Sequence, residues 1–231
     1  MKLSDQDIKE VVERYTGRLN EFGYSPKTLG WTKGKQDLRF EILTSQFYLK
    51  GKNIIDVGCG FGDLNKTLMK KCGGDYSYYG IDLVPKIIEK GREIFTNSNV
   101  IFEACDFLCK DFSEKFDYAF ASGIFNFKLK DNNNYEYIEN VIKKSLEICN
   151  AGLAFDFLSD KVDIKYEHTF HSSPEKILSI AYKYSRNIIL RNDYMPFEFA
   201  LFIFKDDSFL KEDTIFTKYK ERNAKEAIIE G

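Results

Sequence analysis

The sequence predicts an α/β fold of doubly wound type: a mostly parallel seven-stranded sheet, closed by an antiparallel hairpin and preceded by a helical cap. Three observations predict it. Strand-like and helix-like windows alternate from residue 51 onward, and strands joined by helical crossovers build a parallel sheet. A glycine turn, Gly58-Cys59-Gly60-Phe61-Gly62, leads straight from the first strand into a helix. The last two strand windows are separated by little more than Pro196, too short for a crossover, so they pair as an antiparallel hairpin at one sheet edge.

Taken in order, Ser4-Asp5-Gln6-Asp7 caps a helix whose apolar residues Ile8, Val11, Val12, Tyr15 and Leu19 recur at helical spacing. A turn at Ser25-Pro26 and Gly30 follows, then a second helical stretch from Lys33 to Tyr48. Residues 1–50 thus form the cap, part of the same domain as the sheet. The sheet region, 51–205, has strands at Asn53–Val57, Tyr76–Leu83, Val100–Phe107, Phe116–Ser122 and Gly152–Ser159. Helices fall at Asp63–Lys71, Pro85–Phe95, Tyr135–Cys149 and Pro174–Tyr184, and the closing strands are Asn187–Met195 and Phe197–Lys205. The charged tail, 206–231, is expected to form one surface helix.

Composition narrows the function. The 231 residues are 43% apolar, enough for a buried core, and only four prolines argue against long disordered linkers. Lys and Arg number 34 against 36 Asp and Glu, without the basic surplus of a nucleic-acid binder. Five cysteines without a CxxC pair, and no signal-like N-terminus, predict reduced thiols in a cytoplasmic protein. No apolar run is long enough to span a bilayer, and the oligomeric state is open.

Chemistry concentrates at the strand ends. A dinucleotide fingerprint wants glycine at position 63, but Asp63 stands there, and a carboxylate at a helix N-terminus repels a pyrophosphate. Asp56 and Asp63 instead suit a ligand carrying an ammonium or sulfonium charge. Asp82 ends the second strand, where a carboxylate can accept both hydroxyls of a ribose. Ala104-Cys105-Asp106-Phe107 ends the third, placing a carboxylate and a ring where an adenine can be bonded. All three clusters fall at the carboxyl edge of one sheet, the usual ligand crevice.

With these pieces in order, the chain resembles a class I S-adenosylmethionine-dependent methyltransferase, of the Rossmann-like, small-molecule type with a helical cap. The matching stretches are IIDVGCGFGDL at 54–64, YYGIDL at 78–83, ACDF at 104–107, ASGIFNF at 121–127 and the closing hairpin. The resemblance implies S-adenosylmethionine as cofactor. It implies that Asp56, Gly58, Cys59, Gly60 and Gly62 bracket the methionine portion, Asp82 and Leu83 hold the ribose, Asp106 and Phe107 frame the adenine, and Ser122 borders the site. Gln36 and Arg39, three apart on one helix face, are candidates for the methionine carboxylate, or for an ordinary exposed face.

Departures from subfamilies count too. Ser122-Gly123-Ile124-Phe125-Asn126 lacks the proline pair that amino-methylating enzymes carry after the fourth strand, and neither this stretch nor Asp156-Phe157 supplies the ligands of the magnesium-dependent catechol type. No metal is expected. The acceptor pocket is assigned to Phe125, Asn126, Trp31, Asp193, Tyr194 and Glu198, with Asn126 also a catalytic candidate. His168 and His171, the only histidines, lie after the fifth strand; one of them is a candidate general base, and an exposed loop or a metal site are the alternatives. The expected function is O-methylation of a small polar acceptor such as a sugar, a nucleotide-linked precursor, or a phosphoryl or carboxyl oxygen, in surface-glycan or secondary-metabolite synthesis. The rivals are a cofactor-binding partner protein without catalysis and an NAD-dependent oxidoreductase.

Overall fold

The computed structural model describes residues 2–31, 35–131 and 133–206, so the tail helix expected over 206–231 lies outside the described residues apart from Asp206. Helix α1 (Asp5–Phe22) starts where Ser4 accepts from the Asp7 amide at 3.1 Å and ends at Gly23, φ 59°. Then come α2 (Gln36–Leu43), β1 (Lys52–Val57), α3 (Leu64–Cys72), β2 (Tyr76–Asp82), α4 (Pro85–Ile94), β3 (Val100–Ala104) and β4 (Phe116–Ala121). A short 3-10 turn (Ile124–Asn126), α5 (Asn134–Ile148), β5 (Cys149–Leu158), α6 (Pro174–Ala181), β6 (Ile188–Arg191) and β7 (Glu198–Phe204) complete the order.

The seven strands run β3-β2-β1-β4-β5-β7-β6. The first five are parallel, and β7 inserts antiparallel between β5 and β6. Strand order reverses between β1 and β4, which opens the crevice at their carboxyl ends. Alternation along the strands sends successive side chains to opposite faces. One face carries Ile55, Val57, Ala119, Ala121, Phe155, Phe157, Phe199 and Leu201 against α5 and α6. The other carries Ile54, Phe120, Ala154, Ala200 and Phe202 against α2, α3 and α4. Among the described residues, no helix is long and apolar enough to cross a membrane.

Several expected boundaries move, each for a local reason. The second helix covers Gln36–Leu43 rather than Lys33–Tyr48, with residues 33 and 34 outside the described set. The hydroxyls of Thr44 and Ser45 bond back to the carbonyls of Phe40 and Ile42, ending the helix. Phe47 then leaves the helical path to stack on Tyr118, with ring centroids 4.4 Å apart. Strand β3 stops at Ala104 because Asp106 accepts from the Leu108 amide at 2.9 Å and starts a turn. Strand β6 stops at Arg191, whose guanidinium forks onto Asp193. The hairpin connection is therefore residues 192–197, longer than Pro196 alone, and of the two hairpin strands only β6 lies at a sheet edge.

On the α5 side, Phe125, Phe157 and Phe199 form a ring stack, with centroids at 4.9 and 5.2 Å, and all three are buried. Truncating a buried ring loses both transfer energy and packing. Phe157→Ala is expected to lower unfolding stability by about 3–5 kcal/mol, measured by urea denaturation; a loss below about 1 kcal/mol would show that the stack is not a core element.

Candidate functional site at the carboxyl edge of the sheet

The loop after β1 is built by three left-handed glycines, Gly58 (φ 68°), Gly60 (φ 56°) and Gly62 (φ 83°). Positive φ is strained for residues with a Cβ, and here space forbids one too. A Cβ on Gly58 would lie 2.0 Å from Ile124 Cγ2, one on Gly60 2.8 Å from Leu29, and one on Gly62 2.5 Å from the Phe102 ring. Leu29 comes from the cap and Ile124 from the turn after β4, so both segments close directly on the loop. Sequence reasoning missed these two, since nothing marks an apolar residue as a roof rather than a core member.

Asp82, half-buried at the end of β2, joins the loop to the next helix. Its carboxylate accepts from the Gly60 amide at 2.9 Å and from the Val84 amide at 3.0 Å. Burial raises its pKa, and those amides oppose the rise. Each carboxylate oxygen keeps a further acceptor position, so these bonds leave Asp82 able to take ligand hydroxyls. Helix α1 lays Val11, Val12, Tyr15 and Leu19 over Phe61, Val84 and Ile87. The Tyr15 phenol is raised in pKa by burial and then by the Asp82 charge. The Tyr137 phenol of α5 is raised likewise, by burial and then by Asp106 and Asp82. Tyr15 reads in the sequence as a member of an apolar helix stripe.

Asp56 is buried below the glycine loop and accepts from the Tyr78 hydroxyl at 2.7 Å. Burial pushes its carboxyl up to about 7; the Tyr78 bond opposes this, while Asp82, Asp156 and Asp63 add to it. Asp63 accepts from Tyr24 at 2.6 Å and pairs with Lys66 at 2.8 Å, fastening the cap to the start of α3. Cys59 is buried, its thiol raised in pKa by burial and reaching the Gly60 carbonyl. Leu83 is half-buried next to Asp82.

Other expected residues are placed differently. Asp106 is half-buried with its carboxylate bonded inside its own turn, and Phe107 is buried against Phe112 and Lys144. Phe107 turns inward because β3 has already ended. Phe125, assigned to the acceptor pocket, belongs to the core stack on the α5 face. Asn126 accepts from the Leu158 amide at 3.3 Å through its side chain and from the Phe170 amide through its carbonyl, so it braces two loops. Asp193 is exposed and ion-paired to Arg191.

Arg39 and Glu198 find each other. Arg39 Nε donates to Glu198 at 2.7 Å and Nη2 bonds the second oxygen, a buried bidentate pair between α2 and β7. The guanidinium is thus engaged by protein rather than free for a ligand carboxylate. Its other face lies 4.1 Å from the Trp31 ring, and Trp31 presses on Gly123. Gln36 begins the same helix, half-buried. Beside the pair, Asp156 is 2% exposed and accepts from the Gly123 amide at 2.7 Å and from the Ser122 hydroxyl. Burial, then Glu198, pushes the Asp156 carboxyl up to about 7. The Tyr194 hydroxyl is buried near these carboxylates, which with burial raise its pKa, and among the described residues it has no hydrogen-bond partner. Asp156 was signalled in the sequence as a lone carboxylate inside the apolar run Leu153-Ala154-Phe155-Asp156-Phe157.

The two histidines separate clearly. His168 is exposed, with its ring 6.1 Å from that of Tyr166. His171 is half-buried, with Nδ1 2.8 Å from the Ser159 carbonyl and Nε2 3.0 Å from the Thr169 hydroxyl. A carbonyl only accepts, so Nδ1 carries the proton and Nε2 is the basic nitrogen. The backbone around His171 is tied to the turn after β4 and to the end of β5, Phe170 to Asn126 and Ser172 to Leu158 and Ser159.

Residues 49–179 match the family model described as a methyltransferase domain. A Mycobacterium tuberculosis protein named as a methyltransferase is 29% identical over 161 residues, covering 66% of this chain and 93% of its own length. The malonyl-[acyl-carrier protein] O-methyltransferase of Acetivibrio thermocellus is 36% identical over 73 residues, 32% of this chain and 25% of that one. The magnesium protoporphyrin IX methyltransferase of Synechocystis PCC 6803, solved with bound S-adenosylmethionine, has a similar fold: TM-score 0.62 and 14% identity, over 89% of this chain and 100% of that one.

The raised Asp56 carboxyl has a defined sign in stability. It is neutral in the fold below about pH 7 but ionised in the unfolded chain above about pH 4, so its contribution is lost as pH rises through that window. Relative to Asp56→Asn, the wild type is expected to lose stability by at most about 1.4 kcal/mol per pH unit between those limits and to level off above them. Thermal melting of both proteins across this range checks it; parallel curves would mean that Asp56 keeps an ordinary carboxylate pKa.

Proposed function

The chain belongs to the class I S-adenosylmethionine-dependent methyltransferases, and from that premise we propose that it methylates an oxygen of a small polar acceptor. The observation that carries this reading is the Asp82 bridge. One carboxylate holds both the glycine loop and the start of α4, and it stands where a ribose diol of the cofactor would meet it. The surrounding groups suit S-adenosylmethionine. Asp82, with Asp56 as a carboxyl that a positive charge nearby would ionise, suits a ligand with ammonium and sulfonium charges, and the three glycines keep clear a cradle that any Cβ would fill.

In this reading Asp82 takes the ribose, the loop and Asp56 face the methionine portion, and the turn at Asp106 borders the adenine, flanked by the phenols of Tyr15 and Tyr137. Bound there, S-adenosylmethionine supplies a methyl group activated by its sulfonium. The protein's work is alignment and exclusion of water. Leu29 and Ile124 cover the loop, Trp31 covers Gly123 in the turn after β4, and α1 lies over Phe61 and Val84. A hydroxyl acceptor must also lose a proton, and His171 presents a basic Nε2 whose tautomer the Ser159 carbonyl sets. Ser122 and Tyr194 are the polar groups left to orient the acceptor. The near balance of charge fits a small molecule better than a nucleic-acid polymer.

Two measurements test this. Asp82→Ala is expected to weaken S-adenosylhomocysteine binding at least 100-fold in calorimetry while a far-ultraviolet spectrum shows the fold intact; unchanged affinity, or binding of NADH in its place, would remove the nucleoside assignment. Against hydroxyl acceptors that the wild type turns over, His171→Ala is expected to lower kcat about 10²–10⁴-fold with His168→Ala near wild type; full turnover by both variants would exclude a histidine base.

A further inference from the structure

The polar groups under the cap form a chain that ends on the glycine loop. Asp156 projects from β5 to the face carrying α2, in a strand otherwise apolar; the nearby Arg39 lowers its pKa but bonds Glu198 rather than Asp156. Burying a carboxylate in this way costs free energy unless its hydrogen bonds offset it. Both bonds it accepts come from the two residues that leave β4, Ser122 and Gly123. Gly123 turns there with φ 79°, and the next residue, Ile124, is the one packed on Gly58. From the cap side, Trp31 lies against the same Gly123, so close that a Cβ would sit 2.7 Å from its ring. One carboxylate therefore sets the turn on which the cap and the glycine loop both rest.

We propose that Asp156 is a positioning residue of the methyl-donor site, holding Ser122 and Gly123 so that Ile124 packs on the glycine loop and Trp31 of the cap seats on the turn beside it. The proposal rests on the methyltransferase reading above and adds a residue to it. Asp156 touches neither cofactor nor acceptor in this role; it acts through the turn. A carboxylate suits the task because it accepts from a hydroxyl and an amide at once, which no apolar residue of similar size can do. Asparagine keeps the amide contact through its carbonyl oxygen, and alanine keeps neither.

Trp31 is the single tryptophan, so its emission reports the closure directly. Each protein is titrated with S-adenosylhomocysteine, following Trp31 fluorescence and calorimetric heat. The wild type is expected to bind with a saturable change in Trp31 emission. Asp156→Ala is expected to bind at least tenfold more weakly and to lose most of that change, with Asp156→Asn within about threefold of wild type. Ser122→Ala, which leaves the Gly123 bond intact, is expected to fall between them. Wild-type affinity and emission response in folded Asp156→Ala would overturn the proposal. If that variant does not fold, Ser122→Ala decides: a loss of threefold or more supports the role, and wild-type behaviour overturns it. Absence of binding by the wild type would instead count against the methyltransferase reading itself.

Discussion

The Asp82 carboxylate is the constraint on which the site is built. It accepts from Gly60 on one side and Val84 on the other, so the loop after β1 and the start of α4 cannot move independently. Charge-assisted bonds to backbone amides are among the stronger ones available to a fold, and they need no cation nearby. The left-handed glycines follow from this arrangement. A loop drawn this tightly to the end of β2, with Leu29 and Ile124 closing on it, has no room for side chains. Everything placed around it, including α1 with Tyr15 and the turn at Asp106, takes its position from that crevice.

A second layer of the design is the unusual number of buried acids. Asp56, Asp156 and Glu198 occupy the same sheet face near its carboxyl edge, and Arg39 neutralises only Glu198 directly. Burial raises all three in pKa. Such an arrangement disfavours ionised carboxylates in the cofactor-free protein and rewards a cationic ligand, because a positive charge nearby restores the ionised form. A cationic ligand seated at this face, as proposed, would link its binding to the protonation of these acids. The same face explains why α2 is short and yet firmly attached: its hold comes from one buried bidentate pair and a stacked tryptophan, with Phe40 and Leu43 beneath.

Much of this was legible in the sequence, and the limits are physical. Glycines at 58, 60 and 62 between a strand and a helix are local signals, as are the carboxylates at 82 and 106, because strand ends and turns are set by neighbouring residues. The sheet and its closing hairpin follow from alternation and loop length. Partner choice does not. Arg39 and Glu198 are 159 residues apart, and a sequence shows two charges without showing that each satisfies the other. Phe107 and Phe125 stand just past the ends of β3 and β4, where a turn rather than strand alternation sets the direction of a ring, and both are buried in the core. His168 and His171 sit three apart and look alike until the Ser159 carbonyl singles one out.

A crystal structure with S-adenosylhomocysteine bound is the most direct test of the central claim. It is expected to place the ribose hydroxyls on the Asp82 carboxylate with the Gly60 and Val84 bonds retained, and the ligand's homocysteine portion along Gly58 to Gly62. A nucleoside seated away from the glycine loop, with Asp82 still bonded only to backbone, would contradict it.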